Sequence, residues 1–274
     1  LVQYRKSLVG ERTRELNRLQ KMLEGANIKL SGTVTNINGK SARKILEYIL
    51  SGNEIDEKKY DEMYEEKLIA HNLKASKEQI LDDLKGFMSP LQRRMLKELL
   101  QHLDELNVHI ENLNDEIDNF MKPEEKQASQ VIQDVTGIGN TSAQTIIAVI
   151  GTDMERFPSD RHISSWAGLC PGDNVSAKKR KSGKIRKGNA LLKSTLVLCA
   201  HAAVRHKSSY FHAQFKRIST HRGKKRAYVA VAHSILIAIY HILKDGVKYQ
   251  DLGAEYYNQF NACLLYTSPS PRDL

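Results

Sequence analysis

The sequence predicts an all-α fold, a long helical and coiled-coil arm followed by a compact helical domain with a helix-hairpin-helix element. Three patterns carry that prediction. From Leu103 the apolar positions Leu106, Ile110, Leu113, Ile117 and Phe120 follow in steps of three and four, the spacing of a coiled-coil seam. Leu8, Leu16, Leu19 and Leu23 recur at helical spacing near the start. The apolar run Ala227–Leu243, interrupted by His233, Ser234 and His241, reads as a buried core helix, too short for a comfortable membrane span. A hydrophobic content of 41% is enough to build a core.

Taken in order, residues 1–25 read as one amphipathic helix, Gly32–Gly39 as a turn region and Ser41–Leu50 as a short helix capped by Ser41. Glu57–Met88 offers a second amphipathic stretch, and Ser89-Pro90 a place to reverse direction, so residues 54–121 read as an antiparallel helical hairpin. The pattern leaves open whether its seam pairs within the chain or with another copy. The expected domains are linker helices over 1–50, a coiled-coil arm over 51–124 and a compact domain over 125–258. Residues 259–274, where Ser and Pro alternate, read as a non-native tail.

Charge is partitioned along the chain. The formal net charge is +10, yet residues 51–130 sum to −8, while 174–244 contain 17 Lys or Arg and no Asp or Glu. A one-sign segment of that length attracts nucleic acid or an anionic membrane. Its cations are punctuated by Gly, Ser and Asn and form no amphipathic stripe, which favours nucleic acid and argues against a membrane. Cys170, Cys199 and Cys263 lack metal-ligand spacing, and an odd count with no secretory signal fits a reducing cytoplasm. The six histidines of the acid-free segment show no ligand pattern, so no metal or cofactor is expected on this chain.

Two constellations could meet DNA. In VTGIGNTSA, two glycines around one aliphatic residue allow a tight hairpin whose next helix points its first amides outward, suiting a phosphate oxygen. Gly137, Ile138, Gly139, Asn140 and Thr141 are the residues involved, although a helix C-cap glycine before a new helix has the same text. Further on, Pro158 and Ser159 start a short helix, with Trp166 and Leu169 expected to anchor it. Pro171 and Gly172 then release a loop carrying Lys178, Lys179, Arg180, Lys181, Lys184, Arg186 and Lys187, closed by Asn189. Each cation placed on a phosphate releases counterions. Ser176 and Ser182 belong to this loop, and spacing alone reads a serine among cations as a phosphate hydrogen-bonder or a turn former. Two helices, Ala190–Arg205 and Arg226–Lys244, complete the domain. Tyr210 and Tyr228 lack the H-x-x-R partner pattern of a tyrosine recombinase.

Together, the GIG hairpin, RFPS, W-A-G-L-x-P, N-x-S-A-x-K, K-G-N and RGKKRAYVAVAH resemble the C-terminal domain of insertion-sequence family one-ten, the DEDD-type transposases related to Piv-like DNA invertases. QYRKSLVGERTRELNRLQKMLE is similar to the helix that joins this domain to an N-terminal RNase H-like catalytic domain. The resemblance implies a recombinase that moves an insertion sequence, with four acidic residues on Mg²⁺ in the upstream domain and a serine nucleophile in this one. Ser176 is the position that matches, with Ser182 as the alternative. It also implies DNA and a structured guide RNA as partners, a nucleoid-associated protein, and a homo-oligomer through the arm. Because the DEDD domain would precede Leu1, the expectation is that residues 1–274 bind nucleic acid without recombining it. The competing reading is a non-catalytic helix-hairpin-helix module in which Ser176 only contacts phosphate.

Overall fold

The computed structural model describes residues 1–34, 36–52, 55–68, 76–170, 174–176, 179–182 and 185–257. The described residues are all-α apart from one two-stranded ribbon, and the chain divides into two compact units, Gln3–Asp115 and Glu116 onward.

The first unit contains α1 (Val2–Gly25), α2 (Leu30–Thr33), α3 (Lys40–Leu50), α4 (Glu57–Glu65), α5 (Lys77–Asp83) and most of α6 (Pro90–Phe120). The seam of α6 is buried at Leu103, Leu106, Ile110, Leu113 and Ile117 and extends back to Leu96 and Leu100, but Phe120, expected at its end, is 83% exposed. Its partner differs from the expected one. The described residues of 57–88 include two short helices, α4 and α5, and the long antiparallel neighbour is α1. Arg5 donates to Asn114 at 2.9 Å, Arg12 to Asn107 at 3.2 Å, and His102 lies 3.6 Å from Glu15, so one number falls as the other rises. The seam is therefore satisfied within the chain.

Ala42, Ile45, Leu46 and Ile49 place one buried stripe of α3 in the same core, together with Tyr60 and Met63 of α4 and Ile80 of α5. Backbone bonds from Lys29 to Asp83 (2.8 Å) and from Phe87 to Ala26 (3.1 Å) tie α5 to the start of α2. The helix expected to be capped by Ser41 begins one residue earlier, behind Gly39. Cations here meet carboxylates: Arg43 pairs with Asp104 at 2.6 Å, Lys77 with Asp61 at 2.7 Å and Lys44 with Glu47 at 2.8 Å.

The second unit runs through α7 (Pro123–Ile132), α8 (Asn140–Ile150), a 3-10 turn (Met154–Arg156) and α9 (Asp160–Trp166). Then come β1 (Asn174–Ser176), β2 (Lys179–Ser182), α10 (Ala190–Ala203), α11 (Tyr210–Arg222) and α12 (Lys224–Asp245). Helix α12 is long and apolar enough to cross a membrane by length and composition. Here, however, Val231, Ala232, Ile235, Leu236 and Ile239 are fully buried, and α7, α9, α10 and α11 pack around it. The segment between the last two expected helices is itself largely helical. Helix α11 is capped at its start by the Ser209 hydroxyl, which accepts the His212 N–H at 3.2 Å, and it ends at Gly223 (φ +80°). Trp166 does not anchor α9. It is 43% exposed and leans on Phe157, while Ile163 and Leu169 reach the core.

Beyond α12 the chain turns at Gly246 and folds back along α11. Asp251 collects four bonds there: from the Tyr210 N–H (2.8 Å), the Gly253 N–H (2.8 Å), the Thr136 hydroxyl (3.2 Å) and the Tyr249 hydroxyl (3.3 Å). Burial pushes the Tyr249 phenol up to about 12, which keeps it a neutral donor to this carboxylate. Asp251→Ala is expected to cost about 1–2 kcal/mol, by removing a charged acceptor at the first amide of α11. A denaturation midpoint equal to the parent's would refute that assignment. The expected tail, 259–274, lies outside the described residues.

Candidate nucleic-acid interface

The hairpin forms because α7 ends at Ile132 and Val135 is buried, so the turn closes through the Ile138 N–H on the Val135 carbonyl at 3.0 Å. Gly137 takes φ +95°, a conformation that favours glycine, and Ile138 points into the core. Gly137 also presses on α10: a Cβ there would sit 2.5 Å from the Cys199 carbonyl oxygen and 2.6 Å from the Ala203 nitrogen. Gly139 is the N-cap of α8, offers no side-chain cap, and is exposed with Asn140 and Thr141. The start of α8 thus presents backbone amides and the positive end of a helix dipole to solvent. Asp134 and Asp251 stand near this turn, so its appeal to an anion rests on amides rather than on net charge.

The basic loop is gripped at its stem. Gly168 (φ +72°) and Gly188 lie backbone against backbone: a Cβ on Gly168 would fall 2.8 Å from the Arg186 oxygen and from the Gly188 nitrogen. Two residues further in, Arg186 donates its N–H to the Cys170 carbonyl at 3.4 Å, and the Lys193 ammonium meets the Arg186 carbonyl. Between the stems, β1 and β2 pair antiparallel, with Ser176 opposite Lys179, Val175 opposite Arg180 and Asn174 opposite Ser182, and a bulge between Asn174 and Val175. The two serines therefore occupy opposite ends of the ribbon, Ser176 at the tip and Ser182 toward the stem.

Arg186 and Lys187 are exposed at the stem. Lys179, Arg180 and Lys181 lie on β2, while Lys178, Lys184, Pro171 and Gly172 fall outside the described residues. Asn189 caps α10, its Oδ1 accepting the Leu192 N–H at 2.9 Å. Hairpin and loop are not brought together. The hairpin abuts Cys199 and Ala203 near the end of α10 and the loop stem sits at its beginning, roughly 15–20 Å away at 1.5 Å per residue. A nucleic acid meeting both would span about five phosphate steps of one strand.

Sequence reasoning missed the Gly168–Gly188 clamp and Asp251; the first was signalled only by two glycines flanking the cationic run. Among the described residues, no three His, Cys, Asp or Glu side chains converge as metal ligands. Burial pushes the Cys199 and Cys170 thiols up, away from the reactive thiolate.

The fold defines an all-α domain built on a glycine hairpin and a clamped basic ribbon. Residues 129–216, which hold the hairpin, the ribbon, α10 and the first turns of α11, match the Transposase IS116/IS110/IS902 family. Over 108 residues, the chain is 32% identical to the transposase for insertion sequence element IS1111A of Coxiella burnetii, covering 38% of this chain and 29% of that protein. Over 135 residues, it is 28% identical to the insertion element IS110 uncharacterized 43.6 kDa protein of Streptomyces coelicolor, covering 46% of this chain and 31% of that one. The matched stretches span less than a third of either relative. Residues 129–216 of this chain are therefore similar to transposases of the IS116/IS110/IS902 family.

Proposed function

We propose that this chain is the DNA-gripping, serine-bearing part of an insertion-sequence transposase, acting on DNA inside a prokaryotic cell. The observation that carries the reading is the loop itself. Seven cations and no carboxylate lie between Lys178 and Lys187, the stem is fixed by Gly168 and Gly188, and the whole lies inside the matched stretch. Such a loop follows a phosphodiester backbone by charge, and the hairpin amides add a second, sequence-independent hold.

In this reading, Ser176 at the ribbon tip is the nucleophile. Its Oγ forms a bond to phosphorus as one P–O ester bond breaks; the serine proton leaves to a base, and the released sugar hydroxyl takes a proton. A serine needs help to ionise. Carboxylates holding Mg²⁺ in an upstream part of the whole protein would lower that barrier, and the cations around Ser176 favour the developing negative charge. A structured guide RNA and assembly of several copies belong to the same proposal. Because α1 already covers the seam of α6, assembly would use other faces.

Ser176→Ala in the full-length transposase is expected to abolish covalent DNA adducts while leaving binding intact, and Ser182→Ala to leave adducts in place. Adducts that survive Ser176→Ala would favour the second reading, a binding module in which Ser176 only contacts phosphate. Replacing both Arg186 and Lys187 by Gln should flatten the dependence of log affinity on log salt by about 2, from roughly 0.9 per duplex phosphate neutralised. An unchanged slope would place the phosphates elsewhere.

A further inference from the structure

We propose that the corner formed by the last turn of α10, the end of α11 and the start of α12 is a second nucleic-acid site, specific for a single strand, with His201 stacking on a base and Lys224, Lys225 and Arg226 holding its phosphates. The site shares no residue with the loop or the hairpin.

Unpaired charge is the first observation. Residues 221–226, His-Arg-Gly-Lys-Lys-Arg, are all exposed, and among the described residues no ion pair reaches Arg222, Lys224, Lys225 or Arg226. Every one of those ion pairs except His241–Asp245 lies in the first unit, so the lack of neutralisation is a property of this end of the molecule. A second observation is where the cations stand. Three occupy the first turn of the 22-residue helix α12, which has no acidic residue and no side-chain cap there. Cations at a helix N-terminus oppose its dipole, so this placement works against folding and calls for an anion from outside.

The third observation selects the kind of anion. The exposed ring of His201 lies 3.6 Å from that of Tyr228, tilted by only 22°, and Tyr228 meets Phe215 at 4.5 Å, giving a ring stack that bridges the three helices. Tyr228 follows Lys224 by four residues and Lys225 by three on α12, so cations share the helical face of the stack. An aromatic platform bordered by cations suits unpaired bases, whose faces are free to stack; a duplex keeps its base faces buried and offers only phosphates.

The test uses residues 1–274 and fluorescence anisotropy with labelled oligothymidylate, oligouridylate and duplex DNA, each of about 20 nucleotides per strand. His201→Ala is expected to weaken single-strand binding about tenfold with an unchanged salt slope, and His201→Phe to retain it. Preference for the deoxy or the ribo strand identifies which polynucleotide the corner serves. Lys224→Glu, Lys225→Glu and Arg226→Glu together should flatten the single-strand salt slope by about 2. The same triple variant should melt no lower than the parent, because acids there complement the dipole. The proposal is overturned if His201→Ala leaves single-strand affinity unchanged or weakens duplex binding equally. It is also overturned if the triple variant keeps the parent's salt slope, or loses binding together with a lower melting temperature.

Discussion

Gly137→Ala is expected to destabilise the second unit by roughly 3 kcal/mol or more, a fall in melting temperature of roughly 6–12 °C, whereas Gly139→Ala should stay within about 1 kcal/mol of the parent. The two glycines of the same G-I-G turn differ in both conformation and surroundings. Gly137 combines φ +95° with main-chain neighbours: the Cys199 oxygen at 2.5 Å and the Ala203 nitrogen at 2.6 Å from a built Cβ, neither of which can swing aside. Gly139 has an extended backbone (φ −98°) and open space where its Cβ would be. Thermal melts of the two variants decide the matter. Equal melting temperatures would mean that the hairpin does not bear on α10 as described. If both variants fold, Gly139→Ala also reports on contact with phosphate, since a methyl group there stands beside the exposed amides of α8.

Gly188→Ala should have an effect of similar size on the basic loop. A Cβ at Gly188 would meet the Gly168 nitrogen and lie 2.5 Å from the Ala167 carbonyl carbon and 2.6 Å from its oxygen. Overpacking against main chain on this scale costs about 1–3 kcal/mol and is relieved only by parting the stems. The predicted outcome is a domain that still folds around α12, with a loop that no longer holds its cations in one arrangement. DNA affinity should fall by about tenfold through the added cost of ordering the loop on binding. Protease digestion offers a direct readout: cleavage within the loop should accelerate while the helical core resists. Parental cleavage rates and parental affinity would show that the clamp has no part in presenting the ribbon.

Helical periodicity was legible wherever apolar residues were dense, as in α6, α10 and α12. It specifies which face is buried, not what covers it, and so the partner of α6 could not be named: the contacts that align it with α1 are Arg5 to Asn114 and Arg12 to Asn107, polar pairs about a hundred positions apart in sequence. Helix α11 carried its own signals, Phe211, Phe215 and Ile218 at four and three residues between Ser209 and Gly223, but His, Ser, Thr and Arg diluted them. The ribbon had no signal at all, because Lys-Arg-Lys-Ser lacks the alternation that marks a half-buried strand. Trp166 misled through its size: an aromatic ring buries well, yet short α9 already sends Ile163 inward and leaves the ring on Phe157 at the rim. Of the candidate interface, the cations and both hairpin glycines could be read directly. That hairpin and loop sit at opposite ends of α10 could not be, since sequence order says nothing about which end of a later helix an earlier turn will touch.

The carboxylate of Asp251 fastens to Thr136, 115 positions earlier, and to the first amide of α11. During synthesis the N-terminal parts emerge first, so the hairpin leaves the ribosome well before the residue that moors it. A nascent chain thus gains the last fastening of its hairpin only as translation nears the end of this domain, and a product terminated before Asp251 would carry every cation of the loop together with a hairpin left unfastened.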